Sequence, residues 1–416
     1  MSRAVEPAPT SSEELPCGSE LPEAAASDGP KRPSQVGASR KLRLHPCDEA
    51  SFAERSLDDG FSDMGAPETI FLAEAPTAVE RSEPLCFAIQ SGVHDPQTER
   101  DRRFGRDGSY TARRTSICRL PGGIVDTACF LSCPDEHRYL YDSVRGPGVA
   151  EWFDYRLLQE DVLTRDVEDI LERVERVVVL GAQTNSNYSH WLIESVARAA
   201  LFRPFDDGTW LYLTPEIEPW QRQALELVGL GQERLLEVDS PGLTRFGEAV
   251  IVTRGLAKIQ ELNPTALDAL AALAPKVPDR RRLYISRAHA KVRRITNEPE
   301  VADFFASHGF ETVHPQLLSV EEQVRLFAGA EIVAGPHGSG NSGVIFSPPG
   351  TTVIELQAEQ FGIGGIDYLW NLCAVRGHRF AQVVCRHTPG MDHLSATHRD
   401  ITIDLPHLDQ TLSPLL

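Results

Sequence analysis

The sequence predicts an α/β protein built on parallel sheets, and three observations lead there. From residue 176 onward, short apolar runs alternate with amphipathic ones, the pattern of strands buried on both faces and separated by helices. The alternation runs through two rounds, divided by Pro275 and Pro278. A chain of 416 residues also has enough material for two cores of ordinary size.

Taken in order, residues 1–65 are rich in Ala, Pro, Ser and Glu and poor in aromatics. This predicts a disordered leader that cannot bury enough surface to offset its ordering entropy, and one dispensable for folding. Between Pro84 and Asp142, apolar fragments such as Leu85 to Ile89 and Gly122 to Val125 alternate with turn signals, which reads as a small β-rich entry. The first α/β round has strands over 176–180, 210–213, 235–238 and 249–253, with helices over 189–202 and 220–228. After an Ala-rich helix over 265–274, the second round has strands over 283–286, 311–314, 332–334 and 352–356, with helices over 299–308 and 320–328. Two such units suggest two Rossmann-like domains facing a cleft, with ligands at the carboxyl ends of the strands. The domains divide as 66–264 on the acceptor side and 265–385 on the nucleotide side, followed by a tail over 386–416 that packs back on the first domain.

The formal charge of -19 argues against nonspecific nucleic-acid binding, which needs a basic face. Inside this acidic chain, Arg280 to Arg282, Arg287, Lys291, Arg293 and Arg294 form a cationic run. It reads as a local anion site or as a solvated basic face. The eight cysteines show no zinc spacing and are read as reduced thiols; Cys129 and Cys133 lie four apart without a histidine pair to complete a metal set. No signal-peptide core or bilayer-length apolar run occurs, so a cytoplasmic location is expected, with peripheral membrane association left open.

Three segments carry the chemistry. The apolar run ending at Ala334 enters a glycine-rich loop, Gly335-Pro336-His337-Gly338-Ser339-Gly340, that lets backbone approach a ligand closely. A helix starting there would turn N–H groups toward a phosphate. Asn185 to Glu194 opens a helix on which His190 and Glu194 lie four apart on one face, a base and its partner or an ordinary i,i+4 pair beside an Asn/Ser cap. Ser286-Arg287 ends a strand, and Arg293 and Arg294 lead to the next helix; guanidinium forks match diphosphate oxygens. Asn297 stands where a helix cap belongs, ahead of Pro299.

In this order, Asn187-Tyr188-Ser189-His190-Trp191 with Glu194, Ser286-Arg287 with Arg293 to Glu298, Gly309-Phe310-Glu311, Ser319 with Glu322-Gln323, and His337-Gly338 with Phe346 and Val353 to Leu356 resemble glycosyltransferase family 61 over roughly residues 176–357. The resemblance implies a GT-B-like enzyme that transfers a sugar from a nucleotide sugar, commonly UDP-linked, to a hydroxyl with inversion; bacterial relatives serve capsule or other surface polysaccharide synthesis. Relatives usually read His-Gly-Ala-Gly-Leu-Thr/Ser-Asn in the loop. Here Asn341 takes the leucine place and Gly343 the asparagine place. The usual amide is therefore expected to be missing from the donor site.

Sugar transfer leaves negative charge on a diphosphate and requires deprotonation of an acceptor hydroxyl. No Asp-x-Asp triplet occurs to hold a metal. The donor is therefore assigned to Arg287, Arg293, Arg294, Asn297, His337, Gly338, Ser339 and Gly340, with no metal and no cofactor beyond the nucleotide sugar itself. Glu355, ending the strand after the loop, is placed for ribose hydroxyls or as a buried carboxylate with an arginine partner. His190 and Glu194 are the candidate bases, and histidine has the better unperturbed pKa. Competing readings are a catalytically inactive sugar- or nucleotide-binding protein, a dinucleotide oxidoreductase, for which no early strand precedes a G-x-G-x-x-G, and a serine hydrolase, for which no G-x-S-x-G elbow exists.

Overall fold

A computed structural model of the protein describes residues 41–47, 68–72, 78–91, 93, 108–112, 116–126, 131–133, 138–140, 156–158, 162–166, 170–181, 187–238, 243–252, 262–359 and 368–416. In the first large sheet, Ile170–Val179 pairs in parallel with Leu211–Pro215 on one side and with Leu243–Val252 on the other, and Leu235–Val238 adds outside Leu211–Pro215. Numbered along the chain, these four strands stand in the order 3-2-1-4. Ser116–Leu120 and Gly123–Asp126 extend the sheet antiparallel against Leu243–Val252.

In the second large sheet, Glu311–Val313, Arg281–Ile285, Ala330–Pro336, Thr352–Ala358 and Arg379–His387 are all parallel and stand in the order 2-1-3-4-5. Both orders reverse beside the first strand of their round. In open parallel sheets that reversal opens a crevice at the carboxyl ends of the strands, because the flanking connections leave in opposite directions.

Alternation along each strand explains how the layers stack. Val178, Leu180, Tyr212 and Val250 face one hydrophobic cluster, while Val177, Val179, Leu213 and Ala249 face another. In the second sheet, Leu283, Val333, Val353 and Phe380 join the first of these clusters, and Tyr284, Ile332, Ile354 and Ala381 form the outer face. The two sheets therefore contribute to one shared core. Its remaining volume is filled by helices Ala197–Phe202, Pro264–Ala271, Val320–Ala328 and Tyr368–Arg376. Helix starts follow local chemistry: Asn263 caps Ala266 N at 3.2 Å, and Ser319 with Glu322 makes a reciprocal capping box.

Several expectations need correction. Lys41–Cys47, within the expected leader, is a strand that pairs antiparallel with Val162–Asp166 and parallel with Arg138–Leu140. Its Lys-Leu-Arg-Leu-His alternation is a strand period that the composition of the surrounding leader obscures. The rest of 1–65 lies outside the described residues. The β-rich entry is divided, since Cys86–Ile89 pairs in parallel with Arg379–His387 in the second sheet. The tail packs on the outer face of the second sheet and not on the first, because Leu408 and Leu412, one turn apart, meet the Phe305 cluster there. Arg282 Nη1 fixes its end by donating to the Leu416 carbonyl at 2.7 Å. Cys86, Cys118, Cys373 and Cys385 are free thiols, whereas Cys129 lies outside the described residues.

Two contacts set the conformation of the segment after the glycine loop, the 3-10 helix Ser339–Phe346. A Cβ on Gly343 would penetrate the Phe327 ring. The departure at 343 is thus a packing feature: the position is buried against Phe327, so an asparagine there would meet that ring and not the cleft. Gly343→Asn, which restores the residue usual among relatives, should destabilise the fold by ~1–3 kcal/mol in denaturant unfolding. The double variant with Phe327→Ala should lose less than the sum of the two single changes; additive losses would contradict the packing account.

His378 is 6% exposed, and its Nε2 donates to the Val344 carbonyl at 2.9 Å, while Nδ1 is buried without a partner. Burial, aided by the Arg376 charge, pushes its pKa down from 6.5 to about 4. The unfolded chain therefore takes up this proton first, and stability should fall as pH drops from about 6.5 through about 4. A His378→Gln variant should show a lower Tm at pH 7 but a shallower decline on acidification; parallel declines would refute the assignment.

Candidate active site

Side-chain hydrogen bonds tie the helix that follows the first strand of the first sheet to the loop after Ala330–Pro336. At the end of Ile170–Val179 the chain enters a helix made of Tyr188–His190, a π-helical Trp191–Val196 and Ala197–Phe202. π-helical stretches widen the turn and recur where side chains are held for function. Asn187 caps this helix, accepting from Ser189 N at 3.0 Å, and the same oxygen accepts from Ser339 Oγ of the glycine loop at 3.0 Å. Ser189 Oγ lies 2.6 Å from Ser342 Oγ, which lies 2.8 Å from the Tyr368 hydroxyl. A buried hydroxyl chain thus ties the first helix to the loop and to the helix beyond it.

His190 and Glu194 form a buried pair, with Nδ1 2.5 Å from Oε1. His337, following Ala330–Pro336, repeats the arrangement with Glu355, its Nδ1 2.5 Å from Oε1. The other Glu355 oxygen accepts from Gln382 Nε2 at 2.6 Å. A carboxylate on Nδ1 holds the proton of His190 there and leaves Nε2 as its basic nitrogen; the His337 Nδ1 also meets Gln357 Nε2 at 3.2 Å. Glu355 is wholly buried and both its oxygens are engaged, so its geometry is that of a support for His337 and not of a ribose contact or an arginine partner.

Arg287 follows Arg281–Ile285 at the reversal of the second sheet. Its Nε donates to the Arg293 carbonyl at 3.1 Å and its Nη2 to the Val292 carbonyl at 2.9 Å. Its remaining nitrogen occupies the space that a Cβ on Gly338 would fill. No carboxylate forms an ion pair with Arg287 among the described residues. Burial, then the neighbouring Arg293 charge, push its pKa down to about 10, with Glu298 and Asp400 partly opposing them. Arg293 is also depressed by burial, and its φ of 58° is a left-handed conformation rarely adopted by a residue with a Cβ. Like charges held together under low solvation mark a site that an anion would relieve.

The remaining candidates separate. Gly340 is wedged against Ile285 and Pro315, and Ser339 is committed to Asn187. Arg294 turns away: its guanidinium binds Asp400 Oδ2 at 3.0 and 3.2 Å, and its N–H donates to Oδ1 at 2.8 Å. Asn297 does not cap its helix; its amide donates to the Ile403 carbonyl at 2.9 Å and accepts from Ile403 N at 3.0 Å. Both therefore hold the C-terminal segment, through Asp400 and Ile403. Asn187, Ser342 and Gln382 escape a reading by residue type, because their roles depend on partners far along the chain. The i,i+2 spacing of Gln357 and Glu355 on one strand face is the only sequence hint of the polar strip that Gln382 joins.

Residues 338–343 also read G-x-G-x-x-G, late in the chain and running into a 3-10 helix and not an α-helix. Next to the loop, Tyr188, Trp220, Pro315, Gln316, Leu318, Gln323 and Gly340 line a cavity of about 300 Å³. The Tyr188 and Trp220 rings lie 5.6 Å apart. Among the described residues no group of three or more His, Cys, Asp or Glu side chains is arranged to hold a metal ion, and no helix is long and apolar enough to cross a membrane.

No curated protein matches the chain. The family model described as Glycosyltransferase 61 matches residues 188–354, a span that includes His190, Glu194, Arg287, Arg293 and the glycine loop and stops one residue short of Glu355. Over this region the chain is similar to glycosyltransferase family 61.

Proposed function

We propose that the protein transfers a sugar from a nucleotide sugar, UDP-linked by the family's habit, to a hydroxyl of a glycan or similar acceptor, on a GT-B-like pair of α/β units. The observation that carries this reading is the Arg287 guanidinium, half-buried beside Gly338 with carbonyls as its bonded partners and another arginine as its neighbour. A diphosphate brings negative charge to Arg287, and Arg293, the loop backbone and His337 are assigned to the same ligand. The nucleoside end extends toward the Tyr188–Trp220 cavity, whose volume suits one heterocycle.

In this mechanism the acceptor oxygen attacks the anomeric carbon from the face opposite the diphosphate. The new C–O bond forms as the bond to diphosphate breaks, giving inversion. The hydroxyl proton passes to His190 Nε2, and the departing charge settles on the diphosphate between Arg287 and the loop. Fixed donors aimed at that charge each contribute ~3 kcal/mol in well-studied enzymes. Arginines and backbone replace a divalent metal in this reading. A cytoplasmic site of action and a role in surface polysaccharide synthesis complete the proposal. The binding-only alternative draws no support from Gly343, which faces Phe327.

Calorimetry of the full chain against UDP, GDP and CMP, each with and without chelator, tests the reading. One nucleotide class should bind with chelator present, and Arg287→Ala should weaken it ~10-fold or more. His190→Ala should keep that affinity while transfer falls ~100-fold or more. Absence of nucleotide binding, or unchanged binding in Arg287→Ala, would overturn the proposal.

A further inference from the structure

The helix bearing His190 and Glu194 carries a third ionisable group one turn further on. Arg198 is 7% exposed, inside the shared core. Its Nη1 donates to the Gly181 carbonyl at 2.6 Å and to the Leu180 carbonyl at 3.3 Å, where Ile170–Val179 ends, and Ser195 Oγ donates to the same Leu180 carbonyl at 2.9 Å. Its Nε is buried without a partner, and no carboxylate forms an ion pair with it among the described residues.

Burying a guanidinium costs several kcal/mol unless an opposite charge offsets it. Two carbonyls would be served by a neutral donor, so they do not explain a cation here. Among the described residues the acidic group that favours the charged form of Arg198 is Glu194, four positions earlier on the same helical stretch, whose Oε1 is the partner of His190 Nδ1. Other charges on the helices packed against this one are paired or exposed: Asp268 is exposed and pairs with Arg376, Arg222 pairs with Glu237, and Glu226 is exposed.

We propose that Arg198 is a positioning residue: an internal cation that keeps the buried Glu194 ionised, so that Glu194 accepts from Nδ1–H of His190 and leaves Nε2 unprotonated, while its carbonyl bonds anchor the pair to the end of the strand. The role given to Nε2 rests on His190 being the base of the proposed reaction; the state of the pair does not.

The test is the tautomer of His190 at neutral pH, read from imidazole nitrogen shifts in the full chain and assigned by loss of the signal in His190→Gln. The native protein and Arg198→Lys, which keeps the charge, should show Nδ1–H with a bare Nε2. In Arg198→Met, Glu194 should take up a proton and donate it to Nδ1, and the ring proton should move to Nε2. A folded Arg198→Met protein with an unchanged tautomer would overturn the proposal. Where Arg198→Met folds poorly, the Glu194→Gln/Arg198→Met double variant decides. It should be more stable than Arg198→Met alone when the cation serves the carboxylate; equal or lower stability would refute that role. Neither readout involves nucleotide or transfer, so failure here is separable from failure of the glycosyltransferase reading.

Discussion

The constraint on which this site depends is a positive charge held half-buried at the point where the strand order of the second sheet reverses. Arg287 can reach that point only because position 338 has no side chain. Its bonds to the Val292 and Arg293 carbonyls hold the intervening turn closed, and Arg293 occupies a left-handed conformation within it. Stability alone does not favour such an arrangement, since desolvation and like-charge repulsion act together there. A ligand of opposite charge would offset both.

The rest of the architecture brings the first sheet to that charge. Asn187 serves two purposes with one oxygen, capping the helix of His190 and accepting from Ser339 of the loop. The Ser189–Ser342–Tyr368 chain repeats the connection deeper in the core. Because the two sheets share one hydrophobic cluster, the histidine–carboxylate pairs are fixed relative to one another by packing as well as by these bonds. Preorganisation of this kind allows fixed dipoles to act on developing charge without reorganisation at the moment of reaction.

Much of this was legible in the residues. Strand cores such as Val177 to Leu180 and the helix of Val320 to Ala328 announce themselves by period and cap, and the His190–Glu194 spacing suffices to predict their contact. What the residues alone conceal depends on distance along the chain. The Glu355 partner lies eighteen positions upstream and the Ser339 partner 152 away, and neither separation leaves a local signature. Arg294 and Asn297 look like Arg287 and Asn187 by type, yet Asp400 and Ile403 claim them. Gly343 reads as a lost ligand contact until Phe327 is seen against it. The strand at Lys41–Cys47 is hidden because a composition average over the leader outweighs five alternating residues.

The most direct measurement of the central claim is a crystal structure of the protein soaked with a nucleoside diphosphate. The account predicts phosphate oxygens within hydrogen-bond distance of Arg287 and the Gly338 to Gly340 backbone, with His337 Nε2 facing them. A diphosphate bound away from the reversal point, with Arg287 still turned only to its two carbonyls, would contradict it.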